Sequence, residues 1–308
     1  MPTNTITEQQ ANLNSSHLRR HIDRILCPID LSPDSNQSLS YAAALSKAYG
    51  TKLYICYCVP ALPPDGFLNP KDVIEDFINH HTGSEYLRRL DWEGIVVKGS
   101  AADMILHEAN ARQASLIVMH SRRRPLRAAV LGSTTEKICR CAPCPVLVIH
   151  SDEREWLDFS TGELQLKRLL IAHDFSDHAD LALSYALSLA QEFQTELHLL
   201  HVRQIRLEHT WYPPADEESK QASERLHKAV PVETRLWCNI QWSVREGEPY
   251  KEILNYAQER NIDLICIGEH GKGFGKWSPF GSNVDWVLRH APCPVLVARP
   301  VTANGFSH

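Results

Sequence analysis

An α/β fold of two tandem, doubly wound, five-stranded parallel sheets is predicted for this chain of 308 residues, and three observations predict it. The heptapeptide Ala142-Pro-Cys-Pro-Val-Leu-Val148 recurs letter for letter as Ala291-Pro-Cys-Pro-Val-Leu-Val297, about one domain length later. Other landmarks keep step with it: Asp30-Leu-Ser with Asp174-Phe-Ser, Ser40-Tyr-Ala with Ser184-Tyr-Ala, Gly99 with Gly247, and Gly132-Ser133 with Gly281-Ser282. Within each copy, short apolar runs alternate with stretches of helical period. Parallel strands require crossover connections, so that alternation implies a parallel sheet with helices on both faces and ligands at the carboxyl ends of the strands.

The second copy shows the elements in order. Arg168–Ala172 is a short apolar strand, Ala179–Phe193 repeats its apolar residues with helical period, and Glu196–Val202 is rich in strand formers. A polar helix is predicted near Asp216–Lys228, followed by a strand at Gln241–Arg245 and a helix at Pro249–Arg260. A strand at Leu264–Ile267, a helix at Ser282–Arg289 and a strand at Pro294–Ala298 close the unit. In the first copy Ile55–Cys58, Leu116–Met119 and Val146–Ile149 are matching strand runs. Domains are therefore expected at 22–150 and 168–300. They are flanked by polar tails at 1–21 and 301–308 and joined by a charged linker, 151–167, that contains Trp156, Phe159 and Gly162. The closing strands Val146–Ile149 and Val295–Ala298 are strongly apolar and would be exposed edges unless covered, and edges of that kind invite pairing.

Composition narrows the function. The chain is 43% apolar and 22% charged, which suits two cores. A net charge of −5 argues against a nucleic-acid binder that relies on a basic surface. No run approaches the roughly 18–20 apolar residues of a membrane span, and the polar start Met1-Pro-Thr-Asn does not read as a signal peptide, so a cytoplasmic protein is expected. The nine cysteines lie mostly in apolar runs and read as reduced, buried thiols. Cys139, Cys141 and Cys144 tempt a zinc reading. However, Cys144 belongs to the duplicated turn, and its counterpart Cys293 lacks the other two, so metal binding is not expected.

The most informative stretch is 264–283, where an apolar strand runs into Gly268-x2-Gly271-x9-Gly281-Ser282 ahead of a helix. Glycines let the main chain turn and approach a ligand closely, and the first amides of a helix lack intrahelical partners at the positive end of its dipole. Such a place suits a phosphate chain. The competing reading gives these glycines only a tight crossing turn. Neither a Walker A loop nor a dinucleotide fingerprint fits, because Trp277 stands where Ser or Thr is needed and the glycine spacings are wrong.

This spacing resembles the nucleotide motif of the universal stress protein family. The resemblance extends to Asp174-Phe-Ser, His201-Val202, Gly247-Glu-Pro and the Arg289-His-Ala-Pro-Cys-Pro-Val-Leu-Val close. It implies an adenine-nucleotide alpha-hydrolase-like fold, with the two halves packed as a pseudo-dimer and a further dimer of chains conceivable. It also implies that Asp174 and Val202 face adenine and ribose and that Ile267 and Gly268 line base and sugar. His270 and Gly271 would reach the phosphates, which Gly281, Ser282 and Asn283 would cap. The implied ligand is ATP, or AMP or another adenine nucleotide, with Mg as its companion, held with little or no turnover in a stress-response or signalling role. No catalytic residues are assigned. At the corresponding place the first copy has His120-Ser-Arg-Arg123 and lacks both glycines, so nucleotide binding there is expected to be weak or absent.

Arg122, Arg123, Arg124 and Arg127 form the chain's one strong basic cluster, either an anion or partner patch or a solvated loop. A protein that acts as an interaction scaffold through this cluster, or as a slow ATPase, remains the alternative. The Pro-Pro loops at 62–64 and 212–214 follow the second strand of each half and are expected to lie over the ligand.

Overall fold

The computed structural model describes residues 22–59, 69–79, 87, 89–121, 131–151, 153–159, 161–204, 215–271 and 281–301. The arginine cluster, both Pro-Pro loops and Lys272, Lys276 and Trp277 lie outside them.

The first half runs β1 (Arg24–Ile29), α1 (Pro33–Tyr49), β2 (Lys52–Val59), α2 (Pro70–Asn79), β3 (Trp92–Lys98), α3 (Ala101–Ala111), β4 (Leu116–His120), α4 (Ser133–Cys141) and β5 (Val146–Ile149). A two-stranded hairpin follows, β6 (Leu157–Asp158) with β7 (Glu163–Leu164). The second half repeats the pattern as β8 (Arg168–Ala172), α5 (Asp177–Phe193), β9 (Glu196–Arg203), α6 (Ala215–Ala229), β10 (Ile240–Glu246), α7 (Pro249–Glu259), β11 (Leu264–Gly268), α8 (Ser282–His290) and β12 (Val295–Ala298). The predicted elements of the second copy are found within a residue or two of these bounds.

Each half orders its strands so that the chain moves outward from its first strand, then crosses back to that strand's other side: β3-β2-β1-β4-β5 and β10-β9-β8-β11-β12. The reversal leaves a crevice between β1 and β4, and between β8 and β11, at the strand ends where loops diverge. All pairings within a half are parallel. The halves join through β5 and β12, which pair antiparallel as Val295 with Val148, Leu296 with Leu147 and Val297 with Val146. Leu147 and Leu296 are the same position of the repeat, so this register is a pseudo-twofold axis. One ten-stranded sheet results, and both expected edges are covered.

Both cores run unbroken through that joint. One face of the sheet buries apolar side chains of α1, α2, α5 and α6, among them Leu39, Ile74, Leu187 and Leu226. The other buries those of α3, α4, α7 and α8, among them Ile105, Ile138, Ile253 and Leu288. Each such side chain removed from water contributes roughly 1.5–3 kcal/mol. Helices α1 and α5 start alike, with the hydroxyls of Ser32 and Ser176 accepting from the amides of Ser35 and Ala179.

Residues 151–167, read from sequence as a charged linker, are instead folded against both halves. Trp156 is buried, its amide donates to the Tyr41 hydroxyl at 2.9 Å, and its ring meets those of Tyr41 and Phe193 at 5.0 and 6.5 Å. Arg154 donates to the carbonyl of Ile262 at 2.6 Å and to Asn261 at 3.0 Å. None of the nine cysteines is bridged, and seven are buried. Burial pushes the Cys139 and Cys144 thiols up to about 12, which disfavours the thiolate a metal needs. Among the described residues no helix is long and apolar enough to cross a membrane.

Candidate functional site

The crevice of the second half is built from the turn after β8, the ends of β9 and β10, the loop after β11 and the start of α8. Asp174 leaves β8 and is followed by Phe175 in the left-handed region, φ 62°. A non-glycine residue there costs on the order of 1–3 kcal/mol and persists only where its surroundings enforce it. The Asp174 carboxylate oxygen Oδ1 accepts from the amide and hydroxyl of Ser176 at 3.1 and 2.6 Å, and His173 Nδ1 accepts from the Phe175 amide at 3.1 Å. The Phe175 ring is sandwiched by the Arg225 guanidinium at 3.9 Å and the His201 ring at 4.5 Å. Leu31 repeats the conformation at φ 58°, with Ser32 donating to Asp30, so this turn belongs to both halves.

The glycines divide by what their missing Cβ would meet. At Gly268 it would lie 2.6 Å from the carbonyl oxygen of His178 and 2.7 Å from its carbon, in the first turn of α5. That bareness serves the chain's own packing against the first turn of α5. At Gly271 a Cβ would sit 2.7 Å from Asp174 Oδ2, which brings the loop after β11 onto the turn after β8. At Gly281 it would lie 3.3 Å from the carbonyl oxygen of Glu269. Gly281 caps α8 without a side-chain oxygen, leaving the first-turn amides to partners outside the helix.

These elements enclose a cavity of about 570 Å3. Asp174, Val202, Ile267, Gly268, His270, Gly271 and Asn283 line it, seven of the nine residues singled out from sequence. Gly281 and Ser282 stand beside it at the head of α8, where Asn283 and Val284 form the wall. Ala172, Leu200, Val202, Ile253 and Ile267 give an apolar floor, as a flat heterocycle requires. At the far end Arg203 lines the wall and donates to Glu218 at 2.5 Å and to Ser219 at 2.6 Å, with Glu246 at 3.9 Å. Burial holds His173 below the usual histidine value, against the opposing pull of Asp180, and burial likewise lowers His270. Both rings are thereby biased to the neutral form.

Sequence reasoning missed Arg203, Glu218 and Glu246. Arg203 directly follows the flagged Val202, and Glu246 precedes Gly247, but nothing in their spacing shows that they converge with a residue of α6. Among the described residues no group of three His, Cys, Asp or Glu side chains is placed to hold a metal.

The first half differs where expected. His120 takes the place of Gly268, and its Nε2 meets the Ser151 hydroxyl at 3.1 Å, which in turn reaches Asp34 at 3.5 Å. Asp34 is the counterpart of His178. Arg123, which takes the place of Gly271, lies outside the described residues.

The sequence profile of the Universal stress protein family matches the chain twice, at residues 21–150 and 165–299. A universal stress protein of Methanocaldococcus jannaschii is 28% identical over 144 residues, covering 45% of this chain and 85% of that protein. One from Mycobacterium bovis is 28% identical over 201 residues, covering 61% of this chain and 63% of that protein. Among solved structures, a universal stress protein from Archaeoglobus fulgidus superposes with a TM-score of 0.67 at 22% identity, covering 92% of this chain and 100% of that one. At that identity the likeness speaks for the fold.

Proposed function

The chain belongs to the universal stress protein family, and from that premise we propose that its second half binds an adenine nucleotide, ATP in the first place, and retains more than it transforms. The observation that carries this reading is the cavity of about 570 Å3 at the β8–β11 crevice, apolar on its floor and flanked by Gly271 and the first turn of α8. The base lies on the Val202 and Ile267 side, and Asp174 accepts from ribose hydroxyls. The phosphates lie against the amides of Gly271 and the first turn of α8, next to Gly281, Ser282 and Asn283. Mg2+ enters with the phosphates as their companion. The role in the cell is the family's response to stress.

Two measurements test the site. Native mass spectrometry identifies what co-purifies with the chain, and calorimetry follows ATP binding to the wild type and to Val202→Trp, which fills the apolar floor from a half-buried strand end. The expected result is an adenine nucleotide in the first and a loss of affinity of at least about tenfold in the second, with unfolding temperature retained. Equal affinity in the two proteins refutes the placement. The alternative of a scaffold acting through Arg122, Arg123, Arg124 and Arg127 concerns residues outside the described ones.

A further inference from the structure

Glu269 stands between the two glycines of the loop after β11, on the side facing away from the cavity. It is an acidic residue with 9% of its side chain exposed, so it needs a partner. That partner is Arg299, just beyond β12, whose Nη1 ion-pairs with Glu269 Oε2 and whose side chain is 15% exposed. The same guanidinium reaches into the other half. Its Nε donates to the carbonyl of Ala142 and its Nη1 to the carbonyl of Cys139, both at 2.8 Å. Those carbonyls end α4, where helix acceptors lack partners and the dipole is negative. A planar fork donates from separate nitrogens in this fixed geometry, whereas an ammonium offers its three donors from a single point on a flexible stem.

Glu269 is thereby tied to the first half through its carboxylate and lies against the head of α8 through its carbonyl oxygen, 3.3 Å from where a Cβ on Gly281 would be. His178 Nδ1, 3.7 Å from Glu269 Oε1, closes the same cluster from α5. The pseudo-symmetry supplies an internal control. In the first half Ser121 occupies the place of Glu269 and His150 that of Arg299, and His150 pairs with Glu153 of the same half at 2.6 Å. The two halves share their strand order and helix arrangement without this tie, so the fold does not require it. Among the described residues it occurs only beside the loop that carries the glycines.

We propose that Arg299 and Glu269 are positioning residues for the phosphate side of the site, through which the end of α4 in the first half sets the amides of His270 and Gly271 in the second. This rests on the nucleotide reading above. The degenerate half then contributes to binding as a buttress without a ligand of its own. Without the guanidinium, the Glu269 carboxylate must move toward water, and the loop moves with it.

The test replaces the pair by what the first half already accommodates, Glu269→Ser with Arg299→His, beside Arg299→Lys alone. ATP and adenosine are titrated against each protein, adenosine by ligand-observed NMR, and thermal unfolding is recorded. The double variant is expected to lose ATP affinity on the order of tenfold while adenosine changes by less than about twofold. Arg299→Lys is expected to weaken ATP in the same selective way. Unchanged ATP affinity, or parallel losses for ATP and adenosine, overturns the proposal. A wild type that binds neither ligand overturns the site reading itself, and this inference falls with it.

Discussion

Replacing Gly268 by alanine adds one methyl group and nothing else, since this glycine is not among those with positive φ. The new Cβ would sit 2.6 Å from the carbonyl oxygen of His178, 2.7 Å from its carbonyl carbon and 2.8 Å from its Cβ. Two of the three atoms are backbone, so no rotamer change relieves the contact, and the first turn of α5 must lift from the end of β11. Overpacking of this kind costs about 3 kcal/mol, the upper part of its usual range. For a protein of this size that corresponds to a fall in unfolding temperature of roughly 5 °C. Gly271→Ala is the matched control, because its nearest neighbour is the far end of the Asp174 side chain at 2.7 Å. Turning that carboxylate off its rotamer costs only about 1 kcal/mol. Calorimetric melts of the two variants without nucleotide therefore place Gly268→Ala well below Gly271→Ala. Equal unfolding temperatures, or the reverse order, would refute the assignment of Gly268 to packing.

Two further outcomes are expected. Leu147→Asp puts a carboxylate at a position 2% exposed on the pseudo-twofold axis opposite Leu296; it should cost more than about 3 kcal/mol, and limited proteolysis should then release the halves, whereas an unchanged urea midpoint would count against the shared sheet. The second concerns pH. His173 and His198 are buried and held below their usual value by that burial, so the unfolded chain binds protons that the folded chain refuses. Stability is present above the unfolded value of about 6.5 and is lost as pH falls through the depressed folded values. Urea midpoints should therefore decline below about pH 6.5, and a midpoint that rises on acidification would contradict the burial argument.

Much of the architecture is legible in the letters. The repeated Ala-Pro-Cys-Pro-Val-Leu-Val closes, the apolar runs and the helical periods identify the strands and helices of both halves, because period reports which face of each element is buried. That the closing strand of each unit must be covered follows from its wholly apolar sequence, and the family resemblance implied that the two cover each other. The strand order that opens the crevice is a finding of the structure, while the neighbourhood of Asp174, Val202 and Gly271 was implied by the family resemblance. Less legible was the purpose of each residue in that neighbourhood. Gly268 resembles a ligand-binding glycine by spacing, yet its missing side chain makes room for α5. Trp156 sits in a charged stretch, yet it fills the seam between Tyr41 and Phe193.

By itself the sequence determined the duplication, the alternation of elements, the pseudo-dimer and the half in which the glycine motif survives. Only the tertiary structure decided that Arg203 meets Glu218 and Glu246 at the end of the cavity, and that Arg299 reaches the carbonyls of Cys139 and Ala142, 160 and 157 positions away. Hydrophobic period acts within one element and can be read along the chain. Ion pairs and helix-end contacts form between elements brought together by packing, and they leave no period behind.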